Sequence, residues 1–213
     1  MLQEPRGQLF VVSAPSGVGK TTIIRSVRAK WPDLEFSVSS TTRPPRTGET
    51  PGHDYHFISR DEFLQGLKAE RFLEWARVHG EYYGTDRQQI EAWLAAGRDV
   101  LLDIDVQGTR QVRSIYPHAQ TIFILPPSMD VLEQRLRARG TESPEQLARR
   151  LANAKNEVQE ASCYDFLIVN DALEEAVADL EAVLRACHCL RAFQARRLKP
   201  FLFPMTFPEE ELH

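Results

Sequence analysis

At 213 residues the chain is long enough for one substantial hydrophobic core with a smaller insertion or two, and short for two independent domains. Hydrophobic residues at 42% and charged residues at 26% exclude a largely disordered chain. A net charge of -4 gives no electrostatic footprint for a nucleic-acid polymer or an anionic membrane, and leaves small anionic ligands open.

The N-terminal MLQEPRGQLFVV has no long apolar stretch with a cleavage site, and no run is apolar enough to span a bilayer, so a soluble, cytoplasmic protein is expected. Four short apolar runs rich in β-branched residues follow one another: LFVV at 9–12, VLLDID at 100–105, TIFIL at 121–125 and FLIV at 166–169. Being apolar without alternation, they suit strands buried on both faces. Their alternation with helical patterns predicts an α/β fold with a parallel sheet flanked by helices. The segment from about 36 to 84 reads as an insertion of short, mixed strands with a hairpin at Gly80. Inside it, Ser59-Arg60-Asp61-Glu62 is a capping box opening a helix whose inner face carries Phe63, Leu64 and Leu67. Residues 128–160 are unusually basic and predict two helices, the second starting at Ser143-Pro144-Glu145-Gln146 with Leu147, Leu151 and Val158 on its buried stripe. A last helix is expected from near Asp171, with Val177, Leu180 and Leu184 inward. Cys163, Cys187 and Cys189 form neither an even disulfide set nor a paired zinc pattern and read as reduced structural thiols.

Between LFVV and the first helix lies Ser13-Ala14-Pro15-Ser16-Gly17-Val18-Gly19-Lys20-Thr21-Thr22. It nearly matches the phosphate-cradling pattern G-x-x-x-x-G-K-[ST], with Ala14 where the first glycine belongs. A strand-to-helix loop turns several backbone N–H groups toward one point, and the helix N-terminus adds its positive dipole end. Residues 14–22 are therefore the candidate nucleotide-phosphate loop, with Lys20 on the β- and γ-phosphates and Thr21 as a Mg²⁺ ligand. Alanine is tolerable at 14 provided its backbone avoids positive φ. Asp103, ending the VLLD strand, suits a carboxylate beside the metal, directly or through water. It equally suits a helix cap, and Asp105 can serve as metal neighbour or acceptor contact.

Four further stretches, FSVSSTTRPPRTGETPGHDYHF (36–57), FLEWARVHGEYYGT (72–85), LLDIDVQG (101–108) and RARGTESPEQLARRL (137–151), stand in fixed order behind the loop. Together they resemble the guanylate kinase family, bacterial type, over about residues 8–190. The resemblance implies a P-loop nucleoside-monophosphate-kinase fold and the reaction ATP + GMP ⇌ ADP + GDP with Mg²⁺. Its parts would be a core at 1–35, 86–127 and 161–195, a GMP-binding region at 36–85 and a lid at 128–160. It further implies Glu74 on guanine, with Ser39, Gly84 and Thr85 near the base. Arg43, Arg46, Tyr55 and Tyr83 would grip the acceptor phosphate, with Asp103 and Asp105 adjoining the GMP site. Arg135, Arg139 and Arg150 would close on the ATP phosphates and the transferring group, and Asn170 would lie near adenine. Lys20, Arg43, Arg139 and Arg150 are the implied catalytic set, while Arg137 and Arg149 solvate their helices. The chemistry agrees, because one carboxylate accepts both N1–H and N2–H of guanine, and arginine forks fit phosphate oxygens.

Two other readings are a P-loop phosphotransferase with a different acceptor and a noncatalytic binding module of the same shape. The first requires that Glu74 and the SSTTR segment not share a pocket; the second sits poorly with an intact Lys20 and Thr21. A homodimer is kept as a candidate assembly. After about residue 190 the sequence departs from the family pattern, and in the tail 196–213 Phe201, Phe203 and Phe207 among three prolines suggest docking on the body or a partner.

Overall fold

A computed structural model describes residues 7–78, 80–138, 144–191 and 193–194. Arg139, the expected cap Ser143 and the tail 196–213 lie outside them.

In chain order the elements are β1 (Leu9–Ser13), α1 (Lys20–Lys30), β2 (Glu35–Phe36), β3 (Ser40–Thr41), β4 (His56–Phe57), α2 (Arg60–Lys68), β5 (Phe72–Val78), β6 (Glu81–Asp86), α3 (Arg87–Ala95), β7 (Val100–Asp103), α4 (Val106–Ile115), β8 (Gln120–Leu125), α5 (Met129–Ala138), α6 (Pro144–Gln159), β9 (Phe166–Val169) and α7 (Leu173–His188). The large sheet has the order β2-β7-β1-β8-β9 and is parallel throughout. Its centre explains the unalternating apolar runs. Phe10 and Val12 on β1 join Leu101, Ile122 and Ile124 under α1 and α7, while Val11, Val100 and Leu102 face the other way toward Ile90, Leu94 and Val112 of α3 and α4. Each such buried aliphatic side chain contributes roughly 1.5–3 kcal/mol by burial.

FLIV departs from the expectation of burial on both faces. β9 is an edge strand, and only Ile168 is buried; Leu167 and Val169 are 55% and 49% exposed. An apolar run shows β propensity but not its place in the sheet, and here α7 covers one face only. The last helix begins at Leu173 rather than Asp171, on an Ala172 N-cap with no side-chain bond, and Glu174 and Glu175 face the dipole in its first turn.

The insertion forms a second, mixed sheet, β4-β3-β6-β5, with β5 and β6 joined as the expected hairpin. Ser59 caps α2 by accepting the Glu62 N–H at 3.1 Å. The inner face of α2 is narrower than its sequence suggests: Phe63 and Gly66 are buried, Leu64 and Leu67 only half so. Gly66 belongs there because the Phe72 ring packs on it, and a Cβ at this position would stand 2.8 Å from Cε2 of that ring. In the basic region, Ser128 caps α5 through the Val131 N–H. Leu132, Leu136 and Ala154 form a small core between α5 and α6, flanked by Leu147 and Leu151. Cys187 is buried and Cys189 exposed, and His188 turns instead to Asp99 at 2.5 Å.

Candidate active site

The loop between β1 and α1 is shaped by two glycines. Gly17 and Gly19 have φ of 96° and 101°, and a Cβ would lie 2.5 Å from Leu136 Cδ2 at the first and 2.7 Å from Asn170 Nδ2 at the second. Ala14 keeps its backbone out of that region: Glu70 is the one described non-glycine residue with positive φ. α1 has neither a side-chain cap nor an acid in its first turn, so its N-terminal N–H groups and dipole end are left for an external anion. Lys20 Nζ lies 2.5 Å from Asp103 Oδ1 and 3.4 Å from the Ile104 carbonyl. Thr21 is exposed beside it.

Asn170 is buried at the end of β9 and donates to the Val18 carbonyl at 2.6 Å. Arg135 on α5 donates to the Asn170 carbonyl at 2.9 Å and reaches Val18 at 3.4 Å. Both therefore brace the loop from behind. Arg150 on α6 bonds the Ser16 hydroxyl. Glu157, two turns further along the same face of α6, is half-buried beside the loop; burial pushes its carboxyl upward, against the opposing influence of the Ser16 backbone and the Lys20 charge. Sequence reading missed Glu157, although a spacing of seven from Arg150 was available as a signal.

The second cluster lies on the insertion. The Arg43 guanidinium is forked by Glu49, at 3.0 Å and 2.8 Å, and donates through Nε to the Tyr83 hydroxyl at 3.3 Å. It also lies 5.4 Å from the Tyr55 ring centre, and the Tyr55 and Tyr83 rings meet edge to face. Glu49 additionally accepts the Arg46 N–H at 2.7 Å, while the Arg46 side chain is exposed. Its bond to Arg43 holds the Glu49 carboxyl below the usual range. Glu49 was not among the expected residues, and only the turn pattern RTGE hinted at it. Burial pushes the Tyr55 hydroxyl up to about 12, with Asp103 as the next cause, so this cluster faces the end of β7.

The third cluster is Glu74 and its surroundings. On a half-exposed hairpin a lone glutamate is ordinarily solvated, yet Glu74 is 4% exposed. Register sets Glu74 opposite Thr85, whose hydroxyl donates to Oε1 at 2.6 Å. Burial pushes the carboxyl up to about 7, the Thr85 bond opposes this, and Asp105 adds to it. Gly84 and Ser39 are both buried nearby on the same small sheet and its approach. The two aspartates, inseparable in the sequence, divide: Asp105 caps α4 by accepting the Gly108 N–H at 2.8 Å, whereas Asp103 pairs with Lys20.

Asp103 is thus next to the phosphate loop and within electrostatic reach of Tyr55, and Asp105 of Glu74. The described candidates fall into one loop cluster and two insertion clusters, joined by the end of β7. Among the described residues no helix is long and apolar enough to cross a membrane.

Residues 6–187 match the family model described as guanylate kinase. The chain is 53% identical over 186 residues to the guanylate kinase of Symbiobacterium thermophilum, covering 87% of this chain and 88% of that one. It is 50% identical over 189 residues to that of Neisseria gonorrhoeae, covering 89% and 92%. The crystal structure of guanylate kinase from Anaplasma phagocytophilum superposes with a TM-score of 0.72 at 35% identity, covering 87% of this chain and 88% of the other. With a phosphate loop, a buried Glu74 and a match spanning nearly the whole described fold, the chain belongs to the guanylate kinase family.

Proposed function

We propose that this enzyme moves the γ-phosphoryl group of ATP onto the phosphate of GMP, giving ADP and GDP. The observation that carries the acceptor's identity is Glu74, a carboxylate at 4% exposure whose one oxygen is fixed by Thr85. Guanine presents N1–H and its N2 amine as adjacent donors, which one ionised carboxylate accepts together. Adenine has an acceptor at N1 and no N2 amine, and would leave the buried charge unpaired. Ser39, Gly84, Thr85 and Asp105 complete the surroundings of the base in this reading.

On the donor side, residues 14–22 receive the ATP phosphates, with Arg135 and Asn170 fixing the loop from behind. On the acceptor side, Arg43, Arg46, Tyr55 and Tyr83 hold the GMP phosphate. An oxygen of that phosphate attacks Pγ, the bond from Pγ to the β–γ bridging oxygen breaks, and that oxygen leaves on ADP. The attacking oxygen is already anionic, so catalysis is positioning and charge stabilisation by Lys20, Arg43, Arg139 and Arg150. Thr21 and Asp103 offer hard oxygen donors of the kind Mg²⁺ takes, so these residues fit it and would hold it beside the donor phosphates. When bound, Mg²⁺ neutralises charge on the donor phosphates. The division into core (1–35, 86–127, 161–195), GMP-binding region (36–85) and lid (128–160) belongs to this proposal. The two outer parts close over the core once both nucleotides are present, which excludes water. Scattering profiles should therefore contract on adding GMP with a nonreactive ATP analogue, and unchanged profiles would remove closure from the account.

A coupled assay with ATP and each of GMP, AMP, CMP and UMP tests the assignment. GMP is expected to lead AMP by at least about 10²-fold in kcat/KM; comparable turnover of AMP or a pyrimidine nucleotide would overturn it. Glu49→Gln is expected to raise the GMP KM about five- to tenfold with a smaller change in kcat. It halves the charged fork on Arg43, and partial exposure keeps the loss near 1 kcal/mol.

A further inference from the structure

Gly108 sits in the first turn of α4, and nothing in its own helix calls for glycine. Its φ is not positive, its N–H already serves the Asp105 cap at 2.8 Å, and alanine is the better helix former at such a position. The reason lies across the interface with β5. A Cβ on Gly108 would stand 2.3 Å from Glu74 Oε2, 3.0 Å from Glu74 Cδ and 3.3 Å from Ile104 Cδ1. One of the two groups has to give way.

The backbone of α4 is poorly placed to do so. One turn on, Gln111 is clipped to the strand residue next to Glu74, donating to the Trp75 carbonyl at 2.7 Å and accepting the Trp75 N–H at 3.2 Å. Gln111 thereby satisfies the free edge of β5 and holds α4 against it. The Glu74 side chain is the softer element, but Thr85 holds its other oxygen at 2.6 Å. The carboxylate thus lies between a hydroxyl on one side and the bare face of Gly108 on the other.

We propose that Gly108 is a specificity-positioning residue: its missing side chain, opposed to Thr85, sets the depth and plane at which the Glu74 carboxylate meets the acceptor base. The proposal rests on the reading of Glu74 as the guanine-reading group. A carboxylate displaced by even about 1 Å loses the paired alignment with N1–H and N2–H, and misplacements of that size cost up to about 10²-fold.

The experiment is a cycle of Gly108→Ala, Glu74→Asp and the double variant, with KM for GMP and for ATP, kcat, and the thermal midpoint measured for each. Gly108→Ala is expected to raise the GMP KM about tenfold or more, with the ATP KM within about twofold and the midpoint unchanged or higher. In Glu74→Asp the shorter side chain withdraws from the Cβ, so the same glycine change should alter the GMP KM by less than about twofold in that background. An unchanged GMP KM in Gly108→Ala, an equal rise in both backgrounds, or a matching rise in the ATP KM would each overturn the proposal. If Glu74→Asp alone leaves the GMP KM at the wild-type value, the base-reading role of Glu74 itself fails, and Gly108 loses its function with it.

Discussion

Lys20→Ala is expected to lower ATP-dependent phosphorylation of every acceptor by about 10²–10³-fold, the scale of losing one preorganised charge at a developing phosphate oxyanion. Lys20 is the first residue of α1, with its ammonium 2.5 Å from Asp103 and its own backbone at an uncapped helix N-terminus. Removing the side chain leaves the N–H cradle standing, because Gly17, Gly19 and the Asn170 brace set its shape. Binding of the ATP phosphates should therefore weaken less than the chemical step slows. The fold should tolerate the change. The ion pair is partly solvated, at 19% and 24% side-chain exposure, so its loss costs on the order of 1 kcal/mol. Steady-state kinetics with saturating GMP, alongside a melting curve, separate these effects. A variant that keeps wild-type kcat while melting normally would show that the donor phosphates are stabilised elsewhere.

That loop is the part of the site most legible in the sequence. Its strand, glycines, lysine and hydroxyl are contiguous, so spacing alone foretells the geometry, and even Ala14 behaves as its small side chain permits. The insertion is different, because its chemistry depends on partners distant in sequence. Arg43 was visible as a basic residue, but Glu49, which forks it, lay in a turn that reads as solvated loop. Asp103 and Asp105 were indistinguishable in LLDID until α4 started at Val106 and took Asp105 as its cap. Glu74 drew its importance from resemblance alone, since the alternation in FLEWARV says which face it shares and not that α4 covers that face. FLIV shows the converse limit: the run specifies a strand, and only the sheet order leaves Leu167 and Val169 uncovered.

Glu74→Gln is expected to move activity and stability in opposite directions. The buried carboxyl has its pKa pushed up to about 7 from a reference of 4.5, burial being the main cause. Between those values the folded state holds a proton that the unfolded chain has released, so wild-type stability falls as pH rises through that window. The cost is absent below about 4.5 and complete above about 7. By 1.36 kcal/mol per unit it amounts to about 3 kcal/mol at most. Glutamine has the same shape and never ionises. The variant should therefore match the wild type near pH 4 and melt higher at pH 8, where denaturant titrations give the difference directly.

Activity should go the other way. Thr85 can still donate to the glutamine carbonyl, but the amide then faces guanine's donors with a donor of its own. The loss of one charge-assisted bond is worth about 1–3 kcal/mol, or roughly 5- to 150-fold in kcat/KM for GMP, with ATP parameters nearly unchanged. In the wild type the same titration should make kcat/KM for GMP fall as pH drops below about 7, and the variant should lack that limb. A Glu74→Gln enzyme that retained both the wild-type preference for GMP over AMP and the acidic limb would remove Glu74 from base recognition. One that lost GMP use without gaining stability at pH 8 would instead show the carboxylate to be neutralised in the folded enzyme by a partner other than Thr85. The stability cost is the reason an ionisable group at this depth calls for a function: burial without a ligand to accept from would favour the glutamine.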